Sequence, residues 1–571
     1  MKTLNLKWNL IAVILAALFL FSSACDQIPE IDPNLIGAEN SLINTPTTWE
    51  ANSVKTIDCA LIINSILTIE EGSSIKFTEN GSLLIGSSTN AALVADGSAE
   101  KPILFTGAAS DDEGSWYGIS FGANNLSNTT VLKNCTIQGA GKNNQPAITV
   151  DNTTISMDSC TVRYCMAEGI DLRNGGSFGS FEHNHLAYCG SYLLQGEPNK
   201  MLGLSDNNSF VENLGKNLLI KSGVFSTTGS LTKLDVPYIV EGILDVLGAE
   251  LSVEPGVSLL FESNGELKVG EGQYAALIAE GTEQQPIVFS SSAQTPQAGD
   301  WRGIGFYSSN SSTKSIIKHA IIEYAGNPAY YDGAIQNHSG FAMENTTLRH
   351  SNTSGLLCYA DGYFTSFHNN TISDCVKDPI VIWAENAHSI GLNNTLTASA
   401  GMGVKIEGSY VTKDVRWIKQ SVPYIINGGI TVTTENGNAK LSIDPGTKLA
   451  FQSGVKLYVG GNGALSAAGK ADSMIVFTSN ATTPSAGDWA GIEFLEGTRG
   501  GTILDYCVVE YAGNYDLFNI GITTSNVSIT NSIIRHSSKY GIFIYWSDPA
   551  YSPIIQNNTY EGNEYNVYYE Q

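Results

Sequence analysis

From about residue 50 onward, apolar and polar side chains alternate in runs of four or five, and Gly, Asn, Ser and Asp break the runs. Leu267-Lys-Val269, Pro286-Ile-Val-Phe289, Ile316-Ile-Lys-His-Ala-Ile-Ile322 and Val527-Ser-Ile-Thr-Asn-Ser-Ile-Ile534 are examples. A period of two with β-branched residues, bounded by turn formers, predicts short strands. Beyond the first residues no stretch places apolar side chains at helical spacing, so the pattern predicts an all-β chain. Sandwiches and barrels need hairpins, yet Asn-Gly and Asp-Gly pairs between alternating runs are few. The alternative is a solenoid, in which each coil lays its strands in parallel on the coil before.

The pattern repeats over a long period. Ile69-Glu-Glu-Gly-Ser-Ser-Ile-Lys-Phe77 returns as Val253-Glu-Pro-Gly-Val-Ser-Leu-Leu-Phe261 and Ile443-Asp-Pro-Gly-Thr-Lys-Leu-Ala-Phe451. Gly114-Ser-Trp-Tyr-Gly-Ile-Ser-Phe121 returns as Gly299-Asp-Trp-Arg-Gly-Ile-Gly-Phe306 and Gly487-Asp-Trp-Ala-Gly-Ile-Glu-Phe494. Two motifs kept in step over such distances mark a repetitive architecture. The reading is three tandem copies, at residues 50–235, 236–421 and 422–571. The third is short and ends in Tyr560, Tyr565, Tyr568 and Tyr569, read as a cap over an otherwise open β-edge.

Asparagine sets the coil. Asn184, Asn370 and Asn558 match across the copies, and the pairs Asn207-Asn208 and Asn393-Asn394 follow about 23 residues later. An Asn at one corner of successive coils can hydrogen-bond along the stack and adopt a left-handed turn. Cys135 and Cys160 lie a similar distance apart. This pattern resembles the right-handed parallel β-helix of the pectin-lyase-like superfamily, from residue 50 to the end; the handedness comes from the resemblance. At roughly 4.8 Å per coil, some 22 or 23 coils make a rod approaching ~110 Å.

The first residues read as an address. Lys2 and Lys7 precede an apolar run from Leu10 to Phe21, then Ser22-Ser23-Ala24-Cys25. A basic start, an apolar stretch too short to span a bilayer and a small-residue cleavage site make an export signal over residues 1–24. Small residues running into Cys resemble a bacterial lipobox, with Ser22 departing from the commoner Leu. The resemblance implies a lipidated Cys25 as first mature residue, and several acyl chains would anchor it durably. Residues 25–49 read as a flexible spacer. The expected location is the cell envelope, at the outer membrane or cell surface.

Without the signal the chain carries 28 basic against 55 acidic side chains. Such a surface repels nucleic acid and anionic membranes. The cysteines after Cys25 form no CxxC pair and no metal-ligand spacing with His. Cys135 aligns with Ala320 and Cys507, and Cys160 with Thr346 and Ser532, which reads as small packed side chains. Neither a metal nor a cofactor is expected.

Trp116, Trp301 and Trp489 recur once per copy, with Asp300 and Asp488 before two of them. Evenly spaced tryptophans could stack on sugar rings while the acids bind hydroxyls, so these five are the candidate ligand residues. The same motif also reads as a turn closed by a large packed aromatic. Glu323 and Glu510, with Gln138 in the first copy, and Arg163, Arg349 and Arg535 with Tyr164, His350 and His536 read as structural ladders or salt links. An Arg beside a His could instead serve a lyase.

The resemblance implies catalytic segments that this chain lacks: Asn-Thr-Asp, paired Asp, Gly-His-Gly and Arg-Ile-Lys. Asp111-Asp112 has no second carboxylate motif to complete a glycosidase dyad. No catalytic residue is assigned. The expectation is a lipid-anchored shaft presenting an extended polar face to a polysaccharide or a cell-surface protein. A polysaccharide lyase or glycoside hydrolase, and a purely structural spacer, are the alternatives.

Overall fold

The computed structural model describes residues 34–545 and 551–570. Cys25, the export signal and the first part of the spacer lie outside the described residues. Among the described residues sixty-two short strands run from Leu35–Ile36 to Tyr565–Tyr569, and every pair of these strands is parallel. The alternating pattern works as expected. In Ile66–Glu70 the residues at Leu67 and Ile69 point into the core, while those between face outward. One apolar column fills the shaft from Trp49 to Ile544.

Each coil has three faces. In the first third these are an eight-stranded sheet, a fifteen-stranded sheet and a six-stranded sheet, visited in turn by successive strands. Coil length is uneven. Cα partners on adjacent coils lie 20 residues apart at Lys55 and Ile75 but 38 apart at Ala279 and Ile317, because loops are spliced into the corners. The uniform coil of about 23 residues is thus a simplification. The sixty-two strands, with two short 3₁₀ turns that stand in for strands, make about twenty-one coils and a rod of roughly 100 Å.

Those two turns are Pro198–Lys200 and Asn386–Ser389. Asn386–Ser389 packs between Tyr363–His368, the last strand of one sheet, and Asp414–Trp417, the first of another. The strand bearing Phe77 lies in the eight-stranded sheet, the one bearing Phe261 in the fifteen-stranded sheet, and the one bearing Phe451 in the fourteen-stranded sheet. From each to the next the chain makes twenty-one strands and one such turn, or seven coils and a third. Residues that recur in the sequence therefore point a third of a turn apart around the shaft.

The asparagine column is a ladder of backbone caps. Asn184 Oδ1 accepts the Cys160 N–H at 3.0 Å, and Asn208 Oδ1 accepts the Asn184 N–H at 2.9 Å. Asn370 does the same for Thr346 and Asn394 for Asn370, both at 3.0 Å, and Asn558 for Ser532 at 2.9 Å. The Asn side chains also donate down to Met157, Met343 and Ile529 carbonyls. The left-handed residue is not the ladder Asn but the one before it: His183 (φ 54°), Asn369 (57°) and Asn557 (56°). The positions held by Cys135, Cys160, Thr346 and Ser532 belong to this same column. Ser532 Oγ accepts the Cys507 N–H at 3.0 Å, the bond an Asn makes elsewhere.

The eight described cysteines are free. Burial pushes the Cys358 thiol up to about 12 and Cys375 likewise to about 12, so they stay protonated and inert at neutral pH.

The C-terminal tyrosines lie on one further coil stacked on the rung below. Ile554–Gln556, Thr559–Glu561 and Tyr565–Tyr569 each pair in parallel with the strand below. Their rings pack on that rung, Tyr568 lying 5.4 Å from Phe543 and 4.9 Å from Tyr540.

Replacing Asn370 by Ala removes the acceptor for a buried N–H, a loss of about 1–3 kcal/mol. Urea unfolding of Asn370→Ala should therefore show a clear drop in midpoint, with the exposed Thr365→Ala as the smaller comparison.

Candidate functional site

The tryptophans of the recurring motif are not a ligand surface. Trp116, Trp301 and Trp489 are each 0% exposed. They stack on the motif phenylalanines Phe77, Phe261 and Phe451 at 3.9, 4.2 and 4.1 Å. Their indole N–H groups donate to the carbonyls of Gln138, Glu323 and Glu510 at 2.9, 2.9 and 2.8 Å. A sugar cannot reach a ring enclosed on both faces, so the stacking role expected for these residues is withdrawn in favour of the packing one.

Asp300 and Asp488 staple their own loops. Asp300 Oδ2 accepts from Ser291 Oγ (2.6 Å) and the Gln297 N–H (2.9 Å). Asp488 Oδ2 accepts from Ser479 Oγ and the Ser485 N–H at the same distances. The motif's second glycine has its own reason. At Gly303 (φ 129°) an added Cβ would lie 2.0 Å from the Ala334 carbonyl, and at Gly118 (φ 131°) 2.6 Å from that of Pro146. The next coil crosses there.

The Glu/Gln and Arg columns form the links expected of a scaffold. Arg349 Nε and Nη2 reach Glu323 Oε2 at 2.8 and 2.7 Å; Arg535 reaches Glu510 Oε2 at 2.7 Å through both. Where the first copy has Gln138, Arg163 donates to its amide oxygen at 2.9 and 3.1 Å. His350 and His536 hold left-handed corners (φ 55° and 53°) and stack on Tyr324 and Tyr511, each pair at 5.2 Å. Asp111 receives the Gln138 amide at 3.3 Å.

An open groove does exist, elsewhere. It lies on the outer face of the fifteen-stranded sheet, over the stacked strands Ser82–Ile85, Gly118–Phe121, Ile148–Asp151 and Ile170–Arg173, and its volume is about 380 Å³. Outward positions of the pleat give a hydroxyl-rich floor of Ser82, Ser120 and Thr149. The loop at Asn143–Pro146 makes one wall, and Asn143 Nδ2 donates to the Tyr117 phenol at 3.1 Å. At the far end stand Asp151 and Arg173. Arg173 is held by buried Asp171 (Nε to Oδ2, 2.8 Å), whose other oxygen accepts from Lys221 at 2.8 Å. Asp151 accepts from Asn174 at 2.9 Å.

Sequence reading missed this groove because its residues come from four coils and share no spacing. The signal present was the outward Ser of strands whose counterparts in the later segments carry other residue types. Ser82 corresponds to Glu266 and Lys456, and Ser120 to Gly305 and Glu493. Among the described residues no group of three or more His, Cys, Asp or Glu could hold a metal ion.

Comparison with protein families agrees with the geometry. Residues 267–415 match a model described as a right handed beta helix region, and residues 408–499 one described as a pectate-lyase like beta helix domain. The shaft is a parallel β-helix, and over residues 267–499 it is similar to right-handed, pectate-lyase-like β-helix domains. Neither the curated proteins nor the solved structures contain a match.

Trp301→Ala should lower stability by about 3–5 kcal/mol, since it empties a large core site. Trp301→Phe should cost less, because the stack on Phe261 can persist while the bond to Glu323 is lost. Denaturant unfolding of the two variants checks the order.

Proposed function

We propose that this chain is a cell-envelope lipoprotein, tethered through lipid on Cys25, whose β-helix shaft binds a polysaccharide or a surface partner without turning it over. The observation that supports binding is the groove over residues 82–173, where hydroxyls, amides, an acid, a guanidinium and one aromatic ring converge on an open flank. The side chains sought for lyase or hydrolase chemistry are instead committed to the scaffold. Arg349 and Arg535 are neutralised by Glu323 and Glu510, and their neighbouring histidines are stacked on tyrosine. General acid–base work needs such groups within reach of a bound substrate.

Glycan columns and a turnover assay with the full chain test the reading. Retention on a glycan without new reducing ends or unsaturated products is the expected result; turnover would overturn it, and absence of retention across neutral and uronic-acid glycans would leave a spacer. The tether has its own test. Cells fed labelled palmitate should label the wild-type chain, and Cys25→Ser should lose both the label and membrane association.

A further inference from the structure

We infer that the groove between Tyr117 and Arg173 takes an uncharged saccharide, and that each chain binds one. The inference rests on the glycan-binding reading and names its ligand.

Charge comes first. The chain is strongly acidic, so a polyanionic glycan approaches against the field of the whole molecule. The groove does not reverse that field locally. Its guanidinium is spent on Asp171, a carboxylate shared with Lys221, so that trio carries one net positive charge. Asp151 at the same end cancels it. A carboxylate or sulfate would meet no free cation here.

What the groove does offer is paired hydrogen-bonding capacity. Ser82, Ser120 and Thr149 can each donate and accept, and the Asn143 and Gln145 amides and the Asp151 carboxylate sit around them. Neighbouring hydroxyls on a pyranose ring need this mixture of donors and acceptors. Tyr117 supplies the apolar face that such rings also present, and its phenol is oriented by Asn143. The volume of about 380 Å³ lies within the range of small-molecule sites.

The stoichiometry follows from the counterparts in the other two thirds of the shaft. In the middle third, Tyr307 folds its ring over Gly305, where an added Cβ would stand 2.6 Å from the ring. Tyr331, on the loop equivalent to Asn143–Pro146, donates to buried Glu266 at 2.6 Å, and Tyr307 bonds both Tyr331 (3.1 Å) and Glu266 (3.3 Å). Burial and the Glu266 carboxylate push the Tyr331 phenol up to about 12, so this closure holds at every physiological pH. In the last third the floor position is Lys456, which bonds Glu493 at 2.8 Å and also Asp516, the latter on the equivalent loop. The protein's own side chains occupy the place a ligand takes in the first third.

Calorimetric titration of the full chain with neutral gluco-, manno- and xylo-oligosaccharides, and with uronic-acid oligosaccharides of matched length, is the test. The expected result is saturable binding of a neutral oligosaccharide at one site per chain, changing less than about twofold between low and high salt. Tyr117→Ala should weaken it about tenfold, the loss of a ring contact of order 1.4 kcal/mol, and Tyr117→Phe should keep most of it. Thr149→Val, which preserves shape, should weaken it as well, with thermal unfolding showing that both variants are folded. Binding of the uronic-acid series alone would overturn the uncharged class while leaving glycan binding in place. Neutral binding indifferent to Tyr117→Ala and Thr149→Val would remove it from this groove, two or more sites per chain would overturn the stoichiometry, and no binding by either series would remove both readings.

Discussion

A parallel coil stack leaves a problem at every corner: the chain turns, the ladder stops, and buried N–H groups lose their partners. In this shaft the side chain of the next coil solves it. Asn184, Asn208, Asn370, Asn394 and Asn558 each accept a buried N–H from the coil below while donating to a carbonyl. Unpartnered, such a group would cost more than the bond itself contributes. The bond also fixes register, because a coil displaced by one residue would break the cap and turn its aliphatics outward. The apolar column can be continuous because the polar column beside it is.

The two 3₁₀ turns change what repetition means here. A whole number of coils between motifs would align the equivalent outward residues along one flank, as a rail for a linear polymer. Seven coils and a third place them on successive faces instead. Asn386–Ser389 absorbs the step while remaining packed: the Phe364 N–H donates to Ser389 Oγ, and Asn386 donates to the carbonyls of Ala360 and Gly362. The strand is missing, but much of its hydrogen bonding is replaced by side chains.

Much of the scaffold could be read from the residues. Period-two alternation gave the strands, the missing hairpin signals gave parallel stacking, and the asparagine column gave the corner. The packing alternative for the Trp motif and the salt links of Arg349 and Arg535 were legible too, since a residue kept in each copy serves what each copy shares. Other features were not legible. The column that joins Asn184, Thr346 and Ser532 mixes chemical types, and only their common bond to a backbone N–H unites them. Pro198–Lys200 and Asn386–Ser389 look like loop sequence, so the shift of face was invisible. The groove draws on residues as much as 91 apart in sequence, Ser82 to Arg173, brought within one cavity by stacking alone.

That contrast explains why the open groove lies where the recurring segments differ. The positions that recur unchanged are occupied by the core, the corner caps and the Trp closure, and each is committed to a partner inside the fold. Outward positions of the pleat carry no such duty, so Ser82, Glu266 and Lys456 can stand at one site in three environments. A large or charged residue there had to be satisfied, and the loop above supplied Tyr331 for Glu266 and Asp516 for Lys456. A serine made no such demand. With nothing drawn down over it, the loop at Asn143–Pro146 stays a wall rather than a lid, and the space beneath remains open to a guest.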